Sequence, residues 1–310
     1  MFLRHLITPN PSILLIFGFF CLIFVSIPLI KFDLEVVFFH TIFPSLIVCL
    51  LSLIAPFFLS IGLNNLVYEK NIIKKENILI GWVFILISAP FINNVEVWIT
   101  SFAVLFMTKL LFSSYQKDLP FSYLFNASFI IALASFFFPN LIILLLLLLI
   151  NAINYSHFSW RILLIIILGF ITPYLLIFIF SFLTNVTIKM PDFFNLNTIS
   201  FLKINSMHSS KKIWLFVLAI IMVFSFKEIF SWLYKKSIKS RKTFKTLIWF
   251  FLITAIISVL YGLEYLYFSI LPLSVIIANY FVYSKKRRLA NVLFCLFLIT
   301  SLYYRYLIVY

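Results

Sequence analysis

The chain has 310 residues, 64% of them hydrophobic and 11% charged, and a mean hydropathy of +1.16. A soluble domain carries about 25% charged residues, so this composition excludes a water-soluble fold and indicates an integral membrane protein. The net charge of +15 falls in short basic loops with no nucleic-acid motif, so it reads as a topology signal rather than a nucleic-acid surface.

Apolar stretches of membrane-spanning length, without the alternation of barrel strands, predict an all-α polytopic protein. Eleven spans follow in order: 11–30, 39–59, 78–91, 97–112, 121–138, 141–153, 162–183, 213–233, 247–261, 266–283 and 289–309. No connection is long enough for a soluble domain, so residues 1–310 form a single transmembrane domain. Within it, 1–183 is a series of helix pairs, 184–212 an outer loop and 213–310 four C-terminal helices. The third, fourth and sixth spans are short, which predicts bilayer thinning or shielding inside the bundle. Pro139 marks a turn, while Pro173 and Pro272 mark candidate kinks.

Basic residues fix the orientation. With a cytoplasmic N-terminus, eighteen of the lysines and arginines fall inside, among them Lys70, Lys74, Lys75, Lys235 to Lys245 and Lys285 to Arg288. Six fall outside: Lys31, Lys189, Lys203, Lys211, Lys212 and Arg305. This bias predicts N-in, C-out.

The same topology sorts the nine acidic residues. Glu69, Glu76, Asp118 and Glu228 lie inside, where neighbouring lysines make them solvated partners. Asp33, Glu35, Glu96, Asp192 and Glu264 lie outside. Asp33 and Glu35 stand two positions apart, so they share a side only in an extended segment. There they could act together on a substrate or a divalent metal ion; the structural alternative is a pair favouring the N-terminus of the second span. Glu96 and Glu264 are lone outer carboxylates. Arg305, within Tyr303-Tyr304-Arg305-Tyr306, is either a snorkelling anchor in an aromatic belt or an anion-binding group. No dedicated cofactor is indicated. The four histidines divide between the two faces, five glycines leave no phosphate-cradling loop, and hydrolase, P-loop and dinucleotide motifs are absent.

The run Glu69-Lys70-Asn71-Ile72-Ile73-Lys74-Lys75-Glu76-Asn77, followed by Phe125-Asn126-Ala127-Ser128-Phe129-Ile130-Ile131-Ala132-Leu133-Ala134-Ser135-Phe136, resembles an uncharacterised multi-pass membrane family of Bacteroidota. The likeness covers about residues 1–300 and implies a bacterial cell-envelope protein of the cytoplasmic membrane. The layout from Asp33 to Leu183 also resembles, more distantly, the GT-C membrane glycosyltransferases. That resemblance implies an outer-loop acid, Asp33 or Glu35, acting as base or metal ligand on a polyprenyl-phosphate sugar. Arg305 or Lys189 would be phosphate contacts, and Glu96 and Glu264 would line the same outer cavity. The first loop is much shorter than in those enzymes, so the site is minimal or the scaffold has lost catalysis. Two other functions compete: a non-catalytic subunit joined to another envelope membrane protein, and a transporter or flippase. The few polar groups within the spans (Asn126, Ser128, Ser135 and Asn279) rank the transporter last. Membrane lipids are partners in every reading.

Overall fold

The computed structural model describes Leu3, Leu6, residues 10–26, 45–91, 95–185, Pro191 and residues 208–309. Among these residues there are eleven α-helices and no strand. They are α1 (Pro11–Ser26), α2 (Ser45–Glu69), α3 (Leu79–Ile87), α4 (Val95–Ser113), α5 (Phe121–Ser135), α6 (Leu145–Asn154), α7 (Trp160–Thr184), α8 (Ser209–Leu233), α9 (Ile238–Tyr261), α10 (Ile270–Tyr283) and α11 (Arg287–Val309). Each falls on one of the expected apolar segments. By length and composition, five stretches of the described residues can cross a membrane: Trp160–Thr184, Ser209–Ser231, Ile238–Tyr261, Tyr265–Tyr283 and Arg287–Leu307. The protein is therefore an all-α, multi-pass membrane protein.

Local chemistry sets the helix ends. Ser159 caps α7 by accepting a bond from the Ile162 amide at 3.4 Å, and Asn185 closes that helix in the left-handed conformation. Ser237 caps α9, so this helix begins nine residues before the expected apolar span and includes Lys239 to Lys245. It stops at Gly262, whose φ of 107° suits glycine. Pro139 opens a 3₁₀ turn, Pro139–Leu144, as expected of a turn. Pro173 lies inside α7. Pro272 is the third residue of α10, just after the 3₁₀ segment Leu263–Ser269 passes into α-helix.

The chain divides into two compact units. The first comprises residues 1–98, 203–236 and 267–310. At its centre lie α3 and α10. All nine residues of α3 are buried, and 89% of the most apolar 18 residues of Tyr265–Tyr283 are buried, against 22% of the corresponding residues of α7 in the other unit. The short third apolar segment is thus shielded inside its unit. Phe17 of α1 packs between Phe57 of α2 and Trp82 of α3, with ring centroids 6.0 and 5.4 Å away. Gly81 permits this, because a Cβ there would stand 3.1 Å from the Phe17 ring.

The second unit comprises residues 99–202 and 237–266. Its closest helix pair is α5 against α7, and α9 packs on α6. In α5, Ala127, Ser128, Ile131, Ala132, Ala134 and Ser135 are buried, so mostly small side chains let the α7 backbone approach. Tyr174 of α7 bonds to Ser135 and donates to the Ala132 carbonyl at 3.4 Å. Asn151 of α6 accepts from Thr246 of α9 at 2.9 Å, and Asn154 donates to the Lys242 carbonyl at 2.8 Å. In an apolar solvent these bonds hold helices together where burial of apolar area alone cannot.

Candidate functional site

Helix direction sorts the first unit into two ends. At one end, the Arg305 guanidinium reaches three backbone carbonyls: Nε to Phe24 O at 3.3 Å, Nη2 to Val25 O at 3.4 Å and Nη1 to Ala89 O at 3.2 Å. Phe24 and Val25 lie in the last turn of α1, and Ala89 follows the end of α3. The last carbonyls of a helix have no partner within it and carry the negative end of its dipole, so a buried cation with a planar fork of donors suits them. Arg305 is 1% exposed. It is neither a snorkelling side chain nor open to solvent, because its charge is spent on carbonyls. Beside it, Trp214 Nε1 donates to Ser301 Oγ at 3.2 Å, and Ser301 donates to Leu86 O at 3.3 Å. The ends of α1, α3 and α11 and the start of α8 therefore lie together.

The opposite end of this unit is basic. Tyr283, closing α10, has Lys75 Nζ 5.4 Å and Lys236 Nζ 4.4 Å from its ring centroid. Burial, then repulsion from Lys74 and Lys75, pushes the Lys236 pKa below the usual lysine value. Lys70 pairs with Glu69 at 2.9 Å, and Glu76 accepts from the Tyr68 hydroxyl at 2.5 Å. Glu69 thus has a lysine partner, as expected, whereas the partner of Glu76 is a tyrosine. A cleft of about 320 Å³ opens here, lined by Leu14, Asn64, Tyr68, Lys75, Glu76 and Asn77 among others.

The second unit has a similarly polar end. Lys242, in the first turns of α9, lies 5.9 Å from the ring of Tyr115, just past the end of α4. Tyr115 meets Tyr155, just past the end of α6, at 5.1 Å. Asp118, His157 and Arg161 line one cleft between the starts of α5 and α7.

Of the expected site residues, Asp33, Glu35 and Lys189 lie outside the described residues. Glu96 is in the first turn of α4 and Glu264 in the 3₁₀ segment Leu263–Ser269, and their side chains also lie outside the description. Arg305 is placed in full. Its contacts tie the ends of α1 and α3 together. Among the described residues, no group of three or more His, Cys, Asp or Glu could hold a metal ion.

The residue that sequence reasoning undervalued is Asn279. It is fully buried in α10, and neither its amide nitrogen nor its amide oxygen is paired. A buried polar group without a partner costs about 1–3 kcal/mol. Asn279→Leu is therefore expected to raise stability by about 1–2 kcal/mol in thermal unfolding of the detergent-solubilised protein. A lowered melting temperature would show that the amide is satisfied in the membrane. The signal was visible in the sequence as one of four polar residues in apolar spans.

These features define a helical multi-pass membrane protein built around buried, hydrogen-bonded helix ends. The chain belongs to DUF6427, a family of unknown function whose model matches residues 12–310. No curated protein and no solved structure matches it.

Proposed function

We propose that this protein is a GT-C-like enzyme of envelope glycan or glycolipid assembly in the bacterial cytoplasmic membrane. About eleven apolar segments enter the bilayer, with the N-terminus inside and the C-terminus outside, and the short ones sit shielded among the longer helices. In this reading the lysine-rich end of each unit faces the cytoplasm, in accord with the positive-inside rule. The Arg305 end of the first unit then faces outward.

The observation that carries the reading is the Arg305 clamp. By holding Phe24, Val25 and Ala89 together, it makes the segment bearing Asp33 and Glu35 and the helix bearing Glu96 depart from one end. Asp33 follows Val25 by eight positions and Glu96 follows Ala89 by seven. At about 3.3 Å per extended residue, both carboxylates are within reach of a common outer site.

Asp33 or Glu35 takes the proton of an acceptor hydroxyl. The acceptor oxygen bonds the anomeric carbon of the donor sugar as the bond from that carbon to the phosphate oxygen breaks, and polyprenyl phosphate leaves. Glu96 binds sugar hydroxyls. A divalent ion on Asp33 and Glu35 would serve the same charge. Arg305 acts as a positioning residue.

The test compares Asp33→Asn and Glu35→Gln with a deletion strain, reading lipid-linked sugars and envelope glycans. At least one variant is expected to reproduce the deletion profile at normal protein levels, a general base being worth about 10²–10⁴-fold in rate. Wild-type profiles from both would leave the non-catalytic subunit as the reading.

A further inference from the structure

We propose that the cleft at the basic end of the first unit binds the headgroup of an ethanolamine phospholipid, with the phosphate on Lys75 and the ammonium among Asn64, Asn77 and Glu76. The proposal concerns the end of the unit opposite Arg305 and is independent of the glycosyltransferase reading.

Two kinds of group meet in the cleft. On one side stands cationic Lys75, on the Tyr283 ring it shares with Lys236 and close to Lys74 in the chain. Three lysines gathered at one place repel one another, and the Lys236 pKa is lowered by burial first and by Lys74 and Lys75 second. A phosphate there relieves the repulsion. On the other side are acceptors. Asn77 is 6% exposed; its Nδ2 donates to Lys75 O at 2.7 Å, while its Oδ1 is buried without a hydrogen bond. Asn64 Oδ1 is likewise buried and unpaired. Glu76, fixed by Tyr68, adds a negative charge. Two orphaned carbonyl oxygens and a carboxylate call for a cation with several N–H donors. A primary ammonium has three.

Phosphate and ammonium joined by a two-carbon link are phosphoethanolamine. The remaining walls favour its lipid form. Leu14, Val67, Ile73, Ile78 and Ile80 line the cleft. Leu14 also belongs to the exposed apolar face of α1, with Leu15 and Ile16, along which an acyl chain can lie. Phosphatidylcholine carries the same charges but no N–H, so it leaves the carbonyl oxygens unmatched.

Native mass spectrometry of the intact protein, loaded with phosphatidylethanolamine, its mono- and dimethyl derivatives and phosphatidylcholine, tests the assignment. Retention is expected to fall stepwise with each N–H lost, by about tenfold over the series. Asn64→Leu and Glu76→Gln should flatten the series, and Lys75→Ala, an exposed position, should weaken every member several-fold. Soluble phosphoethanolamine at equal concentration should displace nothing. The proposal is overturned by a flat series in the wild type, by preferential retention of phosphatidylglycerol, by a series unchanged in Asn64→Leu and Glu76→Gln, or by displacement with the soluble headgroup.

Discussion

Replacing Gly169 by alanine is expected to destabilise the second unit by about 3 kcal/mol, and by valine to prevent its assembly. A Cβ at Gly169 would stand 2.0 Å from Ser128 Oγ, 2.6 Å from Phe125 O and 3.2 Å from Phe125 Cα. The hydroxyl could rotate away, although it donates to Phe125 O at 2.8 Å. The carbonyl and Cα are backbone and move only with α5. Relief therefore requires the α5–α7 pair to separate, which also strains the Tyr174 bonds to Ser135 and Ala132. Ser128→Ala should rescue Gly169→Ala only in part, since it removes one of three obstacles. Thermal unfolding of the detergent-solubilised variants checks this, and a full rescue would show that Phe125 yields more easily than its backbone contact implies.

Arg305 is the second position where a single change should be severe. Arg305→Met keeps the length but leaves Phe24 O, Val25 O and Ala89 O without their donor, at an expected cost of about 3–5 kcal/mol. Arg305→Lys keeps the charge but not the planar fork. One ammonium cannot span carbonyls on two helices as the guanidinium does, so it should recover less than half of the loss. If lysine restored wild-type melting, charge against the helix dipoles would suffice and the three directed bonds would be incidental. Because Arg305 anchors the exits toward Asp33 and Glu96, Arg305→Lys should also impair function at temperatures where the fold persists.

Much of the architecture was legible because membrane spans write themselves in composition. Each of the eleven α-helices among the described residues falls on an apolar segment, five stretches are long and apolar enough to cross a membrane, and the short third segment lies buried within its unit. Helix ends were less legible where charge and helix coexist. Lys239 to Lys245 read as a loop but form the first turns of α9, because Ser237 caps the helix and lysines are good helix formers. Asn64 and Asn65 likewise continue α2 to Glu69.

The site was less legible still. Arg305 stood out by its charge, yet its local sequence, tyrosines on both sides, suggested an interface. Its partners are more than 200 residues away, and they are backbone carbonyls, which carry no residue signature. Gly169 was hidden for the same reason: what makes glycine necessary there is the approach of another helix. The acids at 33 and 35 remain visible by charge alone.

The outer site stands or falls with which face of the membrane each end meets. In a cysteine-free background, with Cys21, Cys49 and Cys295 replaced, single cysteines at Asp33, Glu264, Lys75 and Lys242 can be probed with a membrane-impermeant maleimide. Asp33→Cys and Glu264→Cys are expected to label in intact cells, and Lys75→Cys and Lys242→Cys only after permeabilisation. Labelling of Lys75→Cys in intact cells, or protection of Asp33→Cys until lysis, would contradict the orientation and the outer site with it.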